Sequence, residues 1–191
     1  YFHTRSFKRY ALRMLLFAVL SEVPFDLMYG GTAFYPVHQN VIWTLLLGLL
    51  GIRLMEAARA KGKRWLYILT CAAVVVLGFA LGTLGMVDYY GAGVLTVFAF
   101  YFFRERKWWC LLGQLAALYW LNVVVLGGQM YPVTLFGREI ELCEQGLALL
   151  ALVPIWLYRG RQGHHSKAFQ YACYAFYPAH MLVLALLTMI Q

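Results

Sequence analysis

The hydrophobic positions fall in long runs separated by short polar turns. The apolar segments cover 9–28, 40–58, 64–84, 88–103, 108–127, 142–158 and 168–190, and a membrane span needs roughly 17–25 residues. Between them stand GGT at 30–32, KGKR at 61–64, RERK at 104–107, GGQ at 127–129 with GRE at 137–139, and RGRQGHH at 159–165. Such clusters of glycine and charge end apolar helices. The pattern predicts an all-α fold, a polytopic transmembrane helical bundle of about seven spans with 1–191 as one integral membrane domain.

Composition fixes the class. The chain is 63% hydrophobic and 13% charged, whereas soluble domains carry about 25% charged residues. A net charge of +8 would suit a nucleic-acid partner, but the basic residues lie in short loops between spans, which excludes that reading. Fifteen of the sixteen Lys and Arg residues fall at one set of ends and only Arg138 at the other. The positive-inside rule then places residue 1 on the cytoplasmic side of the membrane and the C-terminus outside. Six of the eight acids, Glu22, Asp26, Asp88, Glu139, Glu141 and Glu144, lie at or near the outer side. Cysteines 71, 110, 143 and 173 show no metal or disulfide spacing and read as small core residues. The chain opens on Tyr1 with no signal-peptide pattern and reads as an N-terminally truncated fragment.

The first segment carries charge at both ends. Arg5, Arg9 and Arg13 follow i+4 steps and form one basic stripe on a helix. Ser21, Glu22, Pro24 and Asp26 give a kinked, acidic exit. Charges inside a span are costly, so either they reach the interface or they face polar cavities in the bundle. In the last segment Gln170, Tyr174, Tyr177 and His180 share one helical face, and Pro178 frees the carbonyl of Tyr174. His180 is either a hydrogen-bonded core residue or a general base, expected beside Glu22. Gly78 and Gly82 form a GxxxG, and Asn40, Thr44, Gly48 and Gly51 lie on one face; both are expected to let helices approach closely. Gln114 and Asn122 are expected to bond across helices, with the lining of a cavity as the lesser alternative.

The stretches FHTRSFKRYALRMLLFAVLSEVPFDL, QNVIWTLLLGLLGI, DYYGAGVL and YAFYPAHMLVL together resemble the TraX family of integral membrane proteins. That resemblance implies a membrane acetyltransferase, similar to the membrane acyltransferases of type 3, whose founding members are associated with N-terminal acetylation of a conjugative pilus subunit. It also implies one or two further spans upstream carrying an Asp-His pair. The expected catalytic residues in this chain are His180, Tyr177 and Glu22. A cytosolic acetyl-CoA donor, held by charge-assisted bonds to its phosphates, is expected at His3, Arg5, Arg9 and Arg13. Asp26, Gln39, Asn40 and Asp88 are the expected acceptor-binding residues, the acceptor being an amine or hydroxyl such as a pilin N-terminus. No metal is expected. A small transporter and a non-catalytic assembly protein stay open as alternatives.

Overall fold

Within a bilayer the backbone must bond to itself, and the long apolar runs accordingly fold as helices. The computed structural model describes residues 1–190 apart from 3, 5, 136, 159, 161, 162, 164 and 165. Helices α1 (Phe7–Gly30), α2 (Val41–Ala60), α3 (Arg64–Leu84), α4 (Tyr90–Phe102) and α5 (Trp108–Leu118) follow in order. A π-helical stretch, Tyr119–Leu126, extends α5; later a 3-10 stretch, Glu144–Ala151, leads into α6 (Leu152–Leu157), and α7 (Lys167–Ile190) closes the described chain. Each expected apolar segment begins and ends within two residues of a helical segment. Val41–Ala60, Arg64–Leu84, Trp108–Leu126 and Lys167–Thr188 are long and apolar enough to cross a membrane, while Tyr90–Phe102 and Glu144–Leu157 are apolar but shorter.

The departure from an all-helical chain is an antiparallel hairpin, β1 (Met130–Leu135) and β2 (Arg138–Cys143), in a stretch expected to be polar turns. Tyr131 pairs with Leu142 and Val133 with Ile140, which places apolar residues on one face of the ribbon. Six-residue strands, one of them with Pro132 inside it, carry too short an alternation to stand out beside the flanking glycines.

The centre is α2, α3 and α4, and glycine sets their spacing. A Cβ on Gly51 would stand 2.5 Å from the Phe98 ring, one on Gly48 2.6 Å from Val97, and one on Gly78 2.7 Å from Phe98. On Gly82 it would come within 2.9 Å of the Tyr90 carbonyl. Small residues thus admit the large side chains of α4, and Met55, Val74, Val94 and Phe98 fill the core. Gln114 bonds across helices, donating to the Phe103 carbonyl at 2.8 Å and accepting from the Trp156 indole at 2.7 Å. Asn122 instead donates to Leu118 on its own helix at 2.9 Å; the π-helical winding turns it inward at a carbonyl one turn back, which corrects the expected cross-helix bond. Cys173, expected in the core, is exposed.

Helix α7 packs on α1. Tyr10 and Gln170 line one cavity, Phe17 and Tyr174 rings meet at 5.8 Å, and Tyr177 feels the charge of Glu22. Residue numbers rise together on the two helices, which therefore run parallel.

A candidate site at the acidic end of the bundle

The N-terminus of α2 is the hub. Asn40 caps it, accepting from the Ile42 N–H at 3.0 Å, the role for which a short amide side chain suits a helix start. Its amide nitrogen donates to the Ala18 carbonyl at 2.9 Å and also to Glu22 Oε2. The Trp43 indole donates to the same Glu22 oxygen at 2.8 Å. With its capacity used inside the protein, Asn40 is a positioning residue that locks α1 to α2.

Glu22 and Asp26 stand one turn apart on α1. Asp26 is buried, and its Oδ2 accepts from the Tyr35 N–H at 2.9 Å. Among the described residues, Glu22 Oε1, Asp26 Oδ1, Ser21 Oγ and the Tyr177 hydroxyl are buried without a hydrogen-bond partner. The Tyr177 hydroxyl faces the Val41 backbone without closing a bond, and Asp88, Glu22 and Tyr89 lie near it. Most buried polar groups are satisfied, so four orphaned oxygens on the facing helices α1 and α7 mark a place arranged for something other than packing.

On the loop between α3 and α4, Asp88 Oδ1 stands 3.4 Å from Nε2 of the buried His38. The imidazole stacks on Tyr29 at 4.6 Å and Phe25 at 5.7 Å, with the Tyr90 ring edge-on at 5.6 Å. Burial pushes the Asp88 carboxyl above its ordinary value, and the bond to His38 offsets this only in part. Thr44 donates to the Asp88 carbonyl at 2.7 Å, and the Gln39 N–H to the Met86 carbonyl at 2.8 Å. These bonds dock the α3–α4 loop on the start of α2 and the residue just ahead of its cap. Asp88 is thereby a common neighbour of His38 and Tyr177, a carboxylate able to orient an imidazole.

The expected site residues separate. Glu22, Asp26, Asn40, Asp88 and Tyr177 come together at this end. Gln39 lies on its rim, where its side chain donates to the Pro36 carbonyl at 3.1 Å. His180 does not join them. Its Nδ1 meets the Phe176 carbonyl of its own helix at 3.0 Å, and its ring lies against Phe176 and Tyr177 at 5.1 and 5.4 Å. No Glu22–His180 contact occurs among the described residues, because α7 turns Tyr177, not His180, toward α2. Arg9 and Arg13 are exposed. Arg13 lines a cavity of about 520 Å³ between α1, α2 and α7, walled by Met14, Phe17 and Tyr174. His3 and Arg5 lie outside the described residues.

Two functional candidates went unread in the sequence, His38 and Trp43. A histidine two residues ahead of a helix cap and a tryptophan one turn inside it were the available signals, but only the fold sets Asp88 and Glu22 beside them.

A helical bundle with long apolar spans and carboxylates buried at one end defines a polytopic membrane protein with an interior polar site. The family model described as TraX protein matches residues 1–188, and the chain belongs to the TraX family. It is also similar to a probable fimbrial assembly protein, FimC of serogroup H1, from Dichelobacter nodosus, at 25% identity over 194 residues that cover 96% of this chain and 73% of that protein. No solved structure matches.

Proposed function

We propose that the protein is an integral membrane acyltransferase that moves an acetyl group from cytosolic acetyl-CoA to an amine or hydroxyl acceptor, with a pilin N-terminus as the leading candidate. The observation that carries this reading is an oriented imidazole, His38 on Asp88, at the same end of the bundle as the unpartnered carboxylate oxygens of Glu22 and Asp26. Family membership and the fimbrial assembly name of the relative support a pilus-related acceptor.

In this mechanism Asp88 holds Nε2 of His38 and leaves the other ring nitrogen to take a proton from the acceptor as it attacks the thioester carbonyl. The new bond forms from acceptor nitrogen or oxygen to the acetyl carbon, the carbon–sulfur bond breaks, and the proton passes to the departing thiolate. Tyr177, with a hydroxyl free to donate, stabilises the oxyanion. The carboxylates of Glu22 and Asp26 attract a cationic amine. Among the expected catalytic residues, His180 has the weakest geometric support. The basic loops face the cytosol in this reading, which the charge asymmetry supports.

The test is transfer of labelled acetyl from acetyl-CoA to a pilin N-terminal peptide by the full-length protein in nanodiscs. His38→Ala is expected to lower the rate by about 10²–10⁴-fold, the usual worth of a general base. Undiminished transfer by that variant would remove His38 from the mechanism, and absence of transfer by the wild type to any amine or hydroxyl would favour a non-catalytic assembly role.

A further inference from the structure

At the opposite end of α2 a second polar site is built from residues that the sequence reading left to the basic loops. Tyr101 donates to Glu56 Oε1 at 2.7 Å, and the same oxygen lies 3.5 Å from Arg59 Nη1 and 3.8 Å from Arg104 Nη1. One carboxylate thus steers two guanidinium groups, one from α2 and one from the turn between α4 and α5, toward one spot. Arg104 is further held by aromatic faces, its Cζ 4.5 Å from the Phe2 centroid and 5.2 Å from that of Tyr101. A guanidinium fixed by ring stacking keeps its outward N–H edge for a ligand. Arg59, Tyr67, Tyr101, Phe102, Arg104 and Glu105 line a recess of about 220 Å³.

Charge in the recess is lopsided. Glu105 is matched by Lys107 at 2.5 Å, which leaves Glu56 alone against two arginines among the described residues. Exposed Lys61, Lys63 and Arg64 on the adjoining turn add to the excess. Two arginines that needed only to reach lipid phosphates would not require a shared, largely buried carboxylate and two stacked rings. That construction is the form of a preorganised anion seat.

We propose that Arg59 and Arg104 form a phosphate-binding seat at the basic end, and that its ligand is the phosphorylated adenosine end of the acyl-coenzyme A donor. The identity of the ligand rests on the acyltransferase reading above; the anion seat does not. Asn40 and Glu56 lie about 24 Å apart along α2 at a helical rise of about 1.5 Å per residue. The seat and the His38–Asp88 cluster therefore stand at the two ends of one rigid helix. Coenzyme A carries its thioester on a long flexible arm, so anchoring its phosphates at one end leaves the acyl group free to enter the bundle.

The experiment is equilibrium binding of coenzyme A to the full-length protein in phosphatidylcholine nanodiscs, repeated in nanodiscs containing phosphatidylglycerol to read retained anionic lipid. Arg59→Gln with Arg104→Gln is expected to weaken coenzyme A binding at least about tenfold, since charge-assisted bonds to both guanidiniums are lost. Lys61→Gln with Lys63→Gln should change it less than about twofold, as expected of exposed charges. Arg59→Lys with Arg104→Lys keeps the charge but not the fork and should fall between, which separates a binding loss from misfolding, as does an unchanged elution profile. Wild-type binding that the glutamine pair leaves intact overturns the seat while leaving the acyltransferase reading in place. Loss of retained phosphatidylglycerol, with coenzyme A bound by neither form, overturns the donor assignment and the acyltransferase reading together.

Discussion

The indole of Trp43 donates to Glu22 Oε2 at 2.8 Å, and this bond decides which oxygen of Glu22 remains free. Because Asn40 reaches the same oxygen, Oε1 is turned toward the interior. Trp43→Phe keeps the ring and removes the donor, and is expected to lower stability by about 1.5–3 kcal/mol, the range for a hydrogen bond to a charged group. Thermal unfolding in detergent measures it. With Glu22→Gln in place the cost of Trp43→Phe should shrink, and equal costs in both backgrounds would show that the two side chains are not coupled.

The close approach of α2, α3 and α4 predicts a steep steric effect. Gly51→Val sets its Cβ 2.5 Å from the Phe98 ring and 2.8 Å from Val74. Both neighbours belong to the core, so the expected loss is about 1–3 kcal/mol or more. Gly31→Ala, at a position with nothing within 4 Å but φ of +66°, should cost about 1–2 kcal/mol through backbone strain alone. Equal melting temperatures for wild type and Gly51→Val would mean that the helices are not held at this spacing in the membrane.

Asp88 supplies a pH dependence. Its ordinary value is 3.8 and burial raises it. A carboxyl whose folded value lies above its unfolded one contributes stability that is complete below the unfolded value and is lost as pH rises through the folded one. Asp88→Asn does not ionise and escapes that loss. The difference in melting temperature, variant minus wild type, should therefore become more positive between about pH 4 and about pH 7. A difference that does not move with pH would show that Asp88 is not titrating against its burial.

Orientation is open to direct measurement. A single cysteine at position 62, in a background lacking the native four, should react with an impermeant maleimide only when the cytosolic side is opened. One at position 137, in the β1–β2 turn, should react from outside intact spheroplasts. The reverse pattern would invert the bundle and move the arginine recess away from the cytosolic donor.

Much of this architecture was legible in the sequence, and the reasons are physical. Span ends are set by where charge and glycine interrupt apolar runs, a local signal, so the helix boundaries fall within two residues. The site was legible only on single helices. Glu22 and Asp26 stand out because carboxylates in an apolar run are costly, but the facing of Tyr177 rather than His180 depends on how α7 rotates against α1. Helical spacing puts both residues on one broad face and cannot choose between them. His38 looked like a loop residue because its partner, Asp88, is fifty positions away. The arginine recess was hidden for the same reason: Arg59 and Arg104 meet only through Glu56.

The parallel pairing of α1 with α7 has a consequence for biogenesis. Tyr177 reaches the polar cluster from the final described span, whereas Glu22, Asn40 and Asp88 are translated long before it. The glycine-packed trio α2, α3 and α4 can assemble from neighbours in sequence, but the α1–α7 contact closes the longest loop among these helix contacts and is entropically the most expensive of them to make. A ribosome-bound chain halted before α7 therefore holds its carboxylates with their companion hydroxyl missing, and the cluster is completed only once α7 has been made.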